Sequence, residues 1–303
     1  WPFRVHARNN QVAATPEGVT AAEDYCANTI GPIKLFDELT RLGLDRTGAY
    51  QRARALAWSW TLAFPMKNNR WANYFEDVQG STENINQYAP LELARYLLEH
   101  PETDPEWRTH ADGLLRFVAG RFARQLYGAE KINEQDVYAH PGGSHTARYA
   151  SVQALWYERT GDAAGRERAL RSFNWASYMC SDAGVVLFSD ETGEVWFSDG
   201  YGDYLRHFLA GLGSVPAWAP PGRDHLLRST SVVQQVTYGD RQIDYRTFDA
   251  DATEVLRLSA APTAVLAGGA ALLQRGDLAQ PGWVYDPATQ VLRLRHQGQS
   301  QIR

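Results

Sequence analysis

The chain has 303 residues, enough for about two domains at roughly 150 residues each, and long enough to bury a core without disulfide staples. Apolar residues make up 44% and charged residues 21%, which is ordinary for a globular protein and argues against disorder. The formal net charge of −5 argues against a general nucleic-acid binder. No uninterrupted apolar stretch of about 18 residues is encoded, so no membrane span is expected; the longest run, Ala261 to Leu273, is broken by Pro262, Thr263, Gly268 and Gly269.

Cys26 and Cys180 are too few for a disulfide framework or a Cys-rich zinc module. One bond between them stays open, with buried free thiols the commoner state. The chain starts at Trp1 and reads as processed or partial. Its ten Trp and fifteen Tyr are the first informative deviation, because many sit beside Gly, Asp and Asn rather than inside periodic runs.

In chain order, the pattern up to Gly222 is helical. Tyr50 to Phe64, Glu106 to Ala123 and Ala163 to Met179 read as helices with one exposed face; in the second, Trp107, Ala111, Leu114, Leu115, Val118 and Phe122 share a side. Between them lie segments that start polar and run apolar: Glu23 to Leu39, Glu83 to Leu98, Ser144 to Trp156 and Asp199 to Leu212. Their starts are about 55 to 61 residues apart, the spacing of an αα-hairpin plus its loops. After the Pro/Gly break at 216–222 the pattern turns strand-like. Val232 to Tyr238, Gln242 to Phe248, Thr253 to Ser259 and Val291 to His296 are the expected strands. The expectation is a mainly α protein with a separate all-β C-terminal domain: a helical-hairpin domain over 1–222 and a β-sandwich-like domain over 223–303.

The connections Leu39–Tyr50, His100–Trp107 and Arg159–Arg166 are short, whereas Pro65–Glu83, Gln125–Ser144 and Ser181–Asp199 are long. In antiparallel hairpins this alternation puts the long connections at one end, and long loops in a compact domain are usually functional. The first carries Trp71, Tyr74, Glu76 and Asp77, then enters a helix through Asn84, Asn86 and Gln87. Carboxyls among aromatics suit a protonated general acid, although Glu76 or Asp77 could simply pair with Arg70. The second carries Glu134 and leads into His145, Arg148 and Tyr149. His145 reads as a structural donor or a substrate contact rather than a metal ligand, because no HExxH or CxxC partner supports a metal. The third carries Trp196, Asp199, Tyr201 and Asp203; Asp199 is also a natural N-cap. Flat aromatic faces suit sugar rings, and carboxylates and amides suit paired hydroxyls. Nucleotide-binding glycine loops, the Gly-x-Ser-x-Gly elbow and EF-hand patterns are absent.

With helical hairpins, one decorated end built from Trp71–Asp77, Asn84–Gln87, Ser144–Tyr149 and Trp196–Tyr204, and a β-rich region behind them, the chain resembles the α/α-toroid, six-hairpin glycosidase-like carbohydrate-active enzymes. Four inner-type helices are readable where that group carries six. The resemblance implies a glycoside hydrolase acting on an oligo- or polysaccharide through two carboxylic groups, with Asp199 as base or nucleophile and Glu76 or Glu134 as acid. Substrate binding would fall to Trp71, Tyr74, Asp77, Asn84, Asn86, Gln87, His145, Arg148, Tyr149, Trp196, Tyr201 and Asp203. The alternative is a uronate lyase or epimerase, with Tyr or His moving the proton and Arg or Asn neutralising the carboxylate; Tyr74, Tyr201, His145, Arg148 and Asn84 would serve. A non-enzymatic glycan-binding scaffold is the third reading. No cofactor and no metal are expected, and a secreted or periplasmic location is.

Overall fold

The computed structural model describes residues 4–13, 29–72, 84–193 and 202–303. It divides into two compact units, Trp1–Tyr204 and Leu205–Arg303. Helices and antiparallel sheets both contribute, and no helix among the described residues is long and apolar enough to cross a membrane.

Among the described residues of the first unit, a short ribbon, β1 (Arg4–Val5) with β2 (Val12–Ala13), precedes three helical hairpins. These are α1 (Ile30–Arg41) with α2 (Ala49–Thr61), α3 (Tyr88–Glu99) with α4 (Trp107–Phe122), and α5 (Gly143–Thr160) with α6 (Ala163–Ser177). The first helices of successive hairpins pack side by side and parallel. Lys34 meets Glu92 at 3.5 Å, the Tyr96 hydroxyl donates to Asp37 at 2.6 Å, Gln87 meets His145 at 3.1 Å and Arg95 donates to Ser151 at 2.8 Å. The positions advance together along both members of each pair, which only parallel helices allow.

Burial separates the two helix types. α4 buries Ala111, Leu114, Leu115, Val118 and Phe122 and exposes Arg108 and Arg116, the one-sided pattern of an outer helix. α5 is buried at every position from Gly143 to Trp156, as befits an inner helix covered on all sides. The α5–α6 turn is tight: Gly161 caps α5 at φ 77°, and the Asp162 side chain accepts from the Ala164 amide at 3.0 Å.

Two local features depart from the expected elements. The helix over Tyr50 to Phe64 changes to a wider π turn at Leu62–Met66. Pro65 within it has no amide hydrogen to return to the preceding turn, and the wider turn absorbs that loss. The connection from Gln125 to Ser144 is not all loop. It shares a hairpin of β3 (Ala123–Leu126) and β4 (Ala129–Ile132), turned by Tyr127 at φ 50° and Gly128 at φ 81°.

The second unit opens with the body of α7 (Tyr204–Ser214), so the Pro/Gly-rich stretch at 216–222 lies inside it. Two antiparallel sheets follow. The four-stranded sheet has the order β11 (Gly282–Asp286), β12 (Val291–His296), β8 (Ala252–Arg257), β5 (His225–Ser229). The five-stranded sheet runs β10 (Ala270–Ala271), β9 (Leu266–Ala267), β13 (Gln301–Ile302), β7 (Gln242–Thr247), β6 (Val233–Gly239). One hydrophobic cluster draws Leu256, Trp283, Leu292 and Leu294 from the first sheet and Tyr245, Ala267 and Ile302 from the second. Beside it Glu254 and His296 are fully buried. The Glu254 carboxylate accepts from Ser229 at 3.0 Å and Tyr245 at 3.4 Å and faces His296 Nε2 at 3.3 Å, while His296 Nδ1 lies 3.0 Å from the Ala250 carbonyl.

Candidate functional site

The candidate site is built in the first unit, where α3 and α5 begin. The strand-like stretch before α3 lies along the connection before α5: Asn86 bridges Gln135, the Asp136 amide donates to the Ile85 carbonyl at 3.0 Å, and the Gln87 amide donates to the Glu134 carbonyl at 3.3 Å. A third piece closes on the same place, because the Gly143 amide donates to the Phe188 carbonyl at 2.8 Å. A Cβ at Gly143 would sit 2.9 Å from Met179 Cγ, so the absence of a side chain there leaves room for Met179 to pack against the start of α5.

This pairing gathers a buried polar cluster. Glu134 and His145 are each about 5% exposed, and Glu134 Oε2 stands 4.0 Å from His145 Nε2. The other ring nitrogen, Nδ1, lies 3.1 Å from Gln87 Nε2, and the Phe188 ring packs edge-on against the imidazole at 5.5 Å. One turn along α5, Arg148 donates to Gln87 Oε1 at 3.3 Å and to Asp203 Oδ2 at 2.5 Å. Its guanidinium also covers the Tyr88 ring at 5.0 Å and lies 3.8 Å from Glu92. Glu92 is buried among cations, with Lys34 and Arg95 each at 3.5 Å. Burial, reinforced by the Arg148 charge, pushes the His145 imidazole well below its usual range, so the ring is neutral at pH 7.

The structure thus brings Gln87, Glu134, His145, Arg148 and Asp203 together. Asn84 joins at one remove, donating to Gln135 at 2.5 Å. Asn86 is a helix cap, its side-chain oxygen accepting from the Tyr88 and Ala89 amides at 3.0 and 3.3 Å. Tyr149 belongs to another network: its hydroxyl donates to Glu130 at 2.5 Å and accepts from Gln153 at 2.8 Å. Burial, with the Glu130 carboxylate adding to it, pushes that phenol well up, so it stays protonated. Trp71 is fully buried in the helical core, with Leu91, Leu97 and Val152 in the same cluster. Tyr74, Glu76 and Asp77, in 73–83, and Trp196, Asp199 and Tyr201, in 194–201, lie outside the described residues. Those stretches join the chain directly before Asn84 and Gly202.

Sequence reading passed over Glu92, Gln135 and Phe188. Glu92 carried a usable signal: a lone carboxylate inside the run Pro90-Leu91-Glu92-Leu93-Ala94 must be paired if that helix is buried. Among the described residues no group of three His, Cys, Asp or Glu side chains is placed to hold a metal ion. The cluster offers a carboxylate, a neutral imidazole and a fixed guanidinium side by side, the equipment of proton transfer next to a developing negative charge.

No protein-family model matches this sequence, and no curated protein matches it. Among solved structures it is similar to a D-mannose isomerase, with a TM-score of 0.46 and 11% identity over 62% of this chain and 54% of that one. It is also similar to the Lin0763 protein from Listeria innocua, with a TM-score of 0.42 and 13% identity over the same shares. The chain spans about half the length of each of these two distant structures.

Proposed function

We propose that this chain is a carbohydrate-active enzyme working by acid–base proton transfer at the Glu134–His145 pair. The observation that carries the reading is the buried juxtaposition of Glu134, neutral His145 and Arg148 where the connections before α3 and α5 run side by side. In a low-dielectric site such groups act strongly on a reacting atom.

Two reactions use this equipment. Lyase or epimerase chemistry removes the proton beside a uronate carboxyl group; of its five candidate residues, Asn84, His145 and Arg148 fall within the cluster or one hydrogen bond from it, while Tyr74 and Tyr201 lie outside the described residues. Glycoside hydrolysis would instead pair Glu134 with a second carboxylate, Glu76 or Asp199. We favour the first for the residues described and keep hydrolysis as the alternative. The wider reading is a partial α/α toroid over 1–222 carrying the site and a β-sandwich over 223–303, in a secreted or periplasmic protein.

The test is a panel of uronate-containing and neutral oligosaccharides incubated with the full chain in deuterated buffer. A lyase yields an unsaturated product absorbing in the ultraviolet, an epimerase yields deuterium on the sugar carbon, and a hydrolase yields reducing ends without either. Glu134→Gln should cut turnover at least about 100-fold, the weight of a general acid or base. Full turnover in both Glu134→Gln and His145→Gln would refute the reading.

A further inference from the structure

We infer that Gln87 is a positioning residue that fixes the His145 tautomer, so that His145 presents an Nε2–H donor beside Glu134 and leaves Glu134 as the base. The inference rests on the proton-transfer reading for its catalytic consequence, but its geometry stands alone.

The argument begins at Arg148. A guanidinium has only donors and keeps its proton at any accessible pH. The Gln87 atom 3.3 Å from Arg148 must therefore be the amide oxygen. That leaves the amide nitrogen, a pure donor, facing His145 Nδ1 at 3.1 Å. Only a bare Nδ1 can accept from it. Turning the Gln87 amide over would set its nitrogen against Arg148, and protonating Nδ1 would set an N–H against an NH2. Each alternative opposes two donors in a buried place, where an unmade hydrogen bond costs about 1–3 kcal/mol.

A neutral imidazole with a bare Nδ1 carries its proton on Nε2. Burial and the Arg148 charge keep the ring neutral. Nε2 faces Glu134 Oε2 at 4.0 Å, beyond hydrogen-bond reach, and has no hydrogen-bond partner among the described residues. A buried N–H in that position is a donor held for something else. Among the described residues, the ring also meets Phe188, packed edge-on, and the Arg148 guanidinium, itself tied to Asp203 and Glu92. The Glu134 carboxylate favours a second proton, but burial first and the Arg148 charge after it hold the ring neutral.

The division of labour follows. Glu134 takes a proton from the substrate carbon, the electrons of that C–H bond move towards the adjacent carbonyl, and the Nε2–H of His145 donates a hydrogen bond to the oxygen that gains the charge. An elimination is completed when the C–O bond on the neighbouring carbon breaks as the C=C bond forms and Glu134 passes its proton to the departing oxygen; return of that proton to the carbon from Glu134 would only restore the substrate. His145 stays neutral throughout.

The deciding measurement is nitrogen-15 NMR of the imidazole rings in the full chain at pH 7, with His145→Gln to assign the signal. The expected result is protonated Nε2 and bare Nδ1. In Gln87→Glu a carboxylate can accept from Arg148 and from the ring together, so Nδ1 becomes protonated. In Gln87→Met, which has neither donor nor acceptor there, the two tautomers mix. A wild-type spectrum with protonated Nδ1 overturns the proposal even if neither variant folds, and so does a folded Gln87→Glu protein whose Nδ1 stays bare. On a substrate found by the oligosaccharide panel, Gln87→Glu should lower kcat about 10-fold or more with KM little changed. A correct tautomer with no turnover on any sugar would sink the functional reading and leave the tautomer lock standing.

Discussion

Replacing His296 by leucine would strand the Glu254 carboxylate inside the C-terminal unit. Both side chains are fully buried, and His296 lies 3.3 Å from the carboxylate it neutralises. Removing one partner of a buried ion pair costs about 3–5 kcal/mol, whereas replacing both by apolar groups is often close to neutral. Ser229 and Tyr245 would still donate to Glu254 at 3.0 and 3.4 Å, so the expected loss is near the lower end, about 3 kcal/mol. The double variant His296→Leu/Glu254→Leu should recover most of it. The same pair sets a pH dependence. Burial alone would lower the His296 imidazole, but hydrogen bonding to Glu254, that carboxylate's charge and the Ala250 and Gln299 backbone outweigh it and hold the ring above its usual value. Its contribution is full below the unfolded value of about 6.5 and is lost as pH rises through the higher folded value. Urea unfolding read through hydrogen exchange of peptides from β8 and β12 gives the stability of this unit alone. Wild-type protection should fall from about pH 6.5 upwards, and the His296→Leu profile should be flat there. A loss under about 1 kcal/mol, or the same pH slope in both proteins, would refute the assignment of a charged pair.

Leu97→Ala removes a fully buried side chain from α3 and should cost about 2–5 kcal/mol in denaturant unfolding. Gly282→Ala would place a Cβ 2.7 Å from the Leu273 carbonyl oxygen; because that oxygen is backbone, overpacking of about 1–3 kcal/mol is expected, seen as a lower melting temperature with the helical circular dichroism intact below it.

The outer helices were legible because their apolar positions are periodic. In α4 the apolar positions fall on one side and the arginines on another, and the expected span Glu106 to Ala123 differs from the observed Trp107–Phe122 by one residue at each end. β12 matches its alternating pattern, Val291–His296, at both ends. The β3–β4 hairpin was not legible, since Ala123-Arg124-Gln125-Leu126 and Ala129-Glu130-Lys131-Ile132 carry neither β-branched density nor clean alternation. Only Tyr127-Gly128 hints at the turn. β5 and β11 escaped for a related reason: they are short, and β11 is headed by a glycine. At the candidate site, loop length pointed to Gln87, Glu134, His145, Arg148 and Asp203, because elaborated connections stand out even in a single sequence. What it could not supply was orientation. Tyr149 lies one residue beyond Arg148, yet the helical rotation of about 100° per residue turns it away to Glu130 and Gln153.

The parallel run of α3 beside α5 has an electrostatic consequence. Peptide dipoles in the two helices add instead of cancelling, and the first turn of each behaves as about half a positive charge. Neither first turn contains an acidic side chain to offset it. A molecule that gains negative charge beside Gln87 and His145 therefore sits in a field made by the backbone itself, which no side-chain substitution removes. The antiparallel hairpin partners α4 and α6 oppose this field with their own dipoles, so it is felt close to the first turns of α3 and α5.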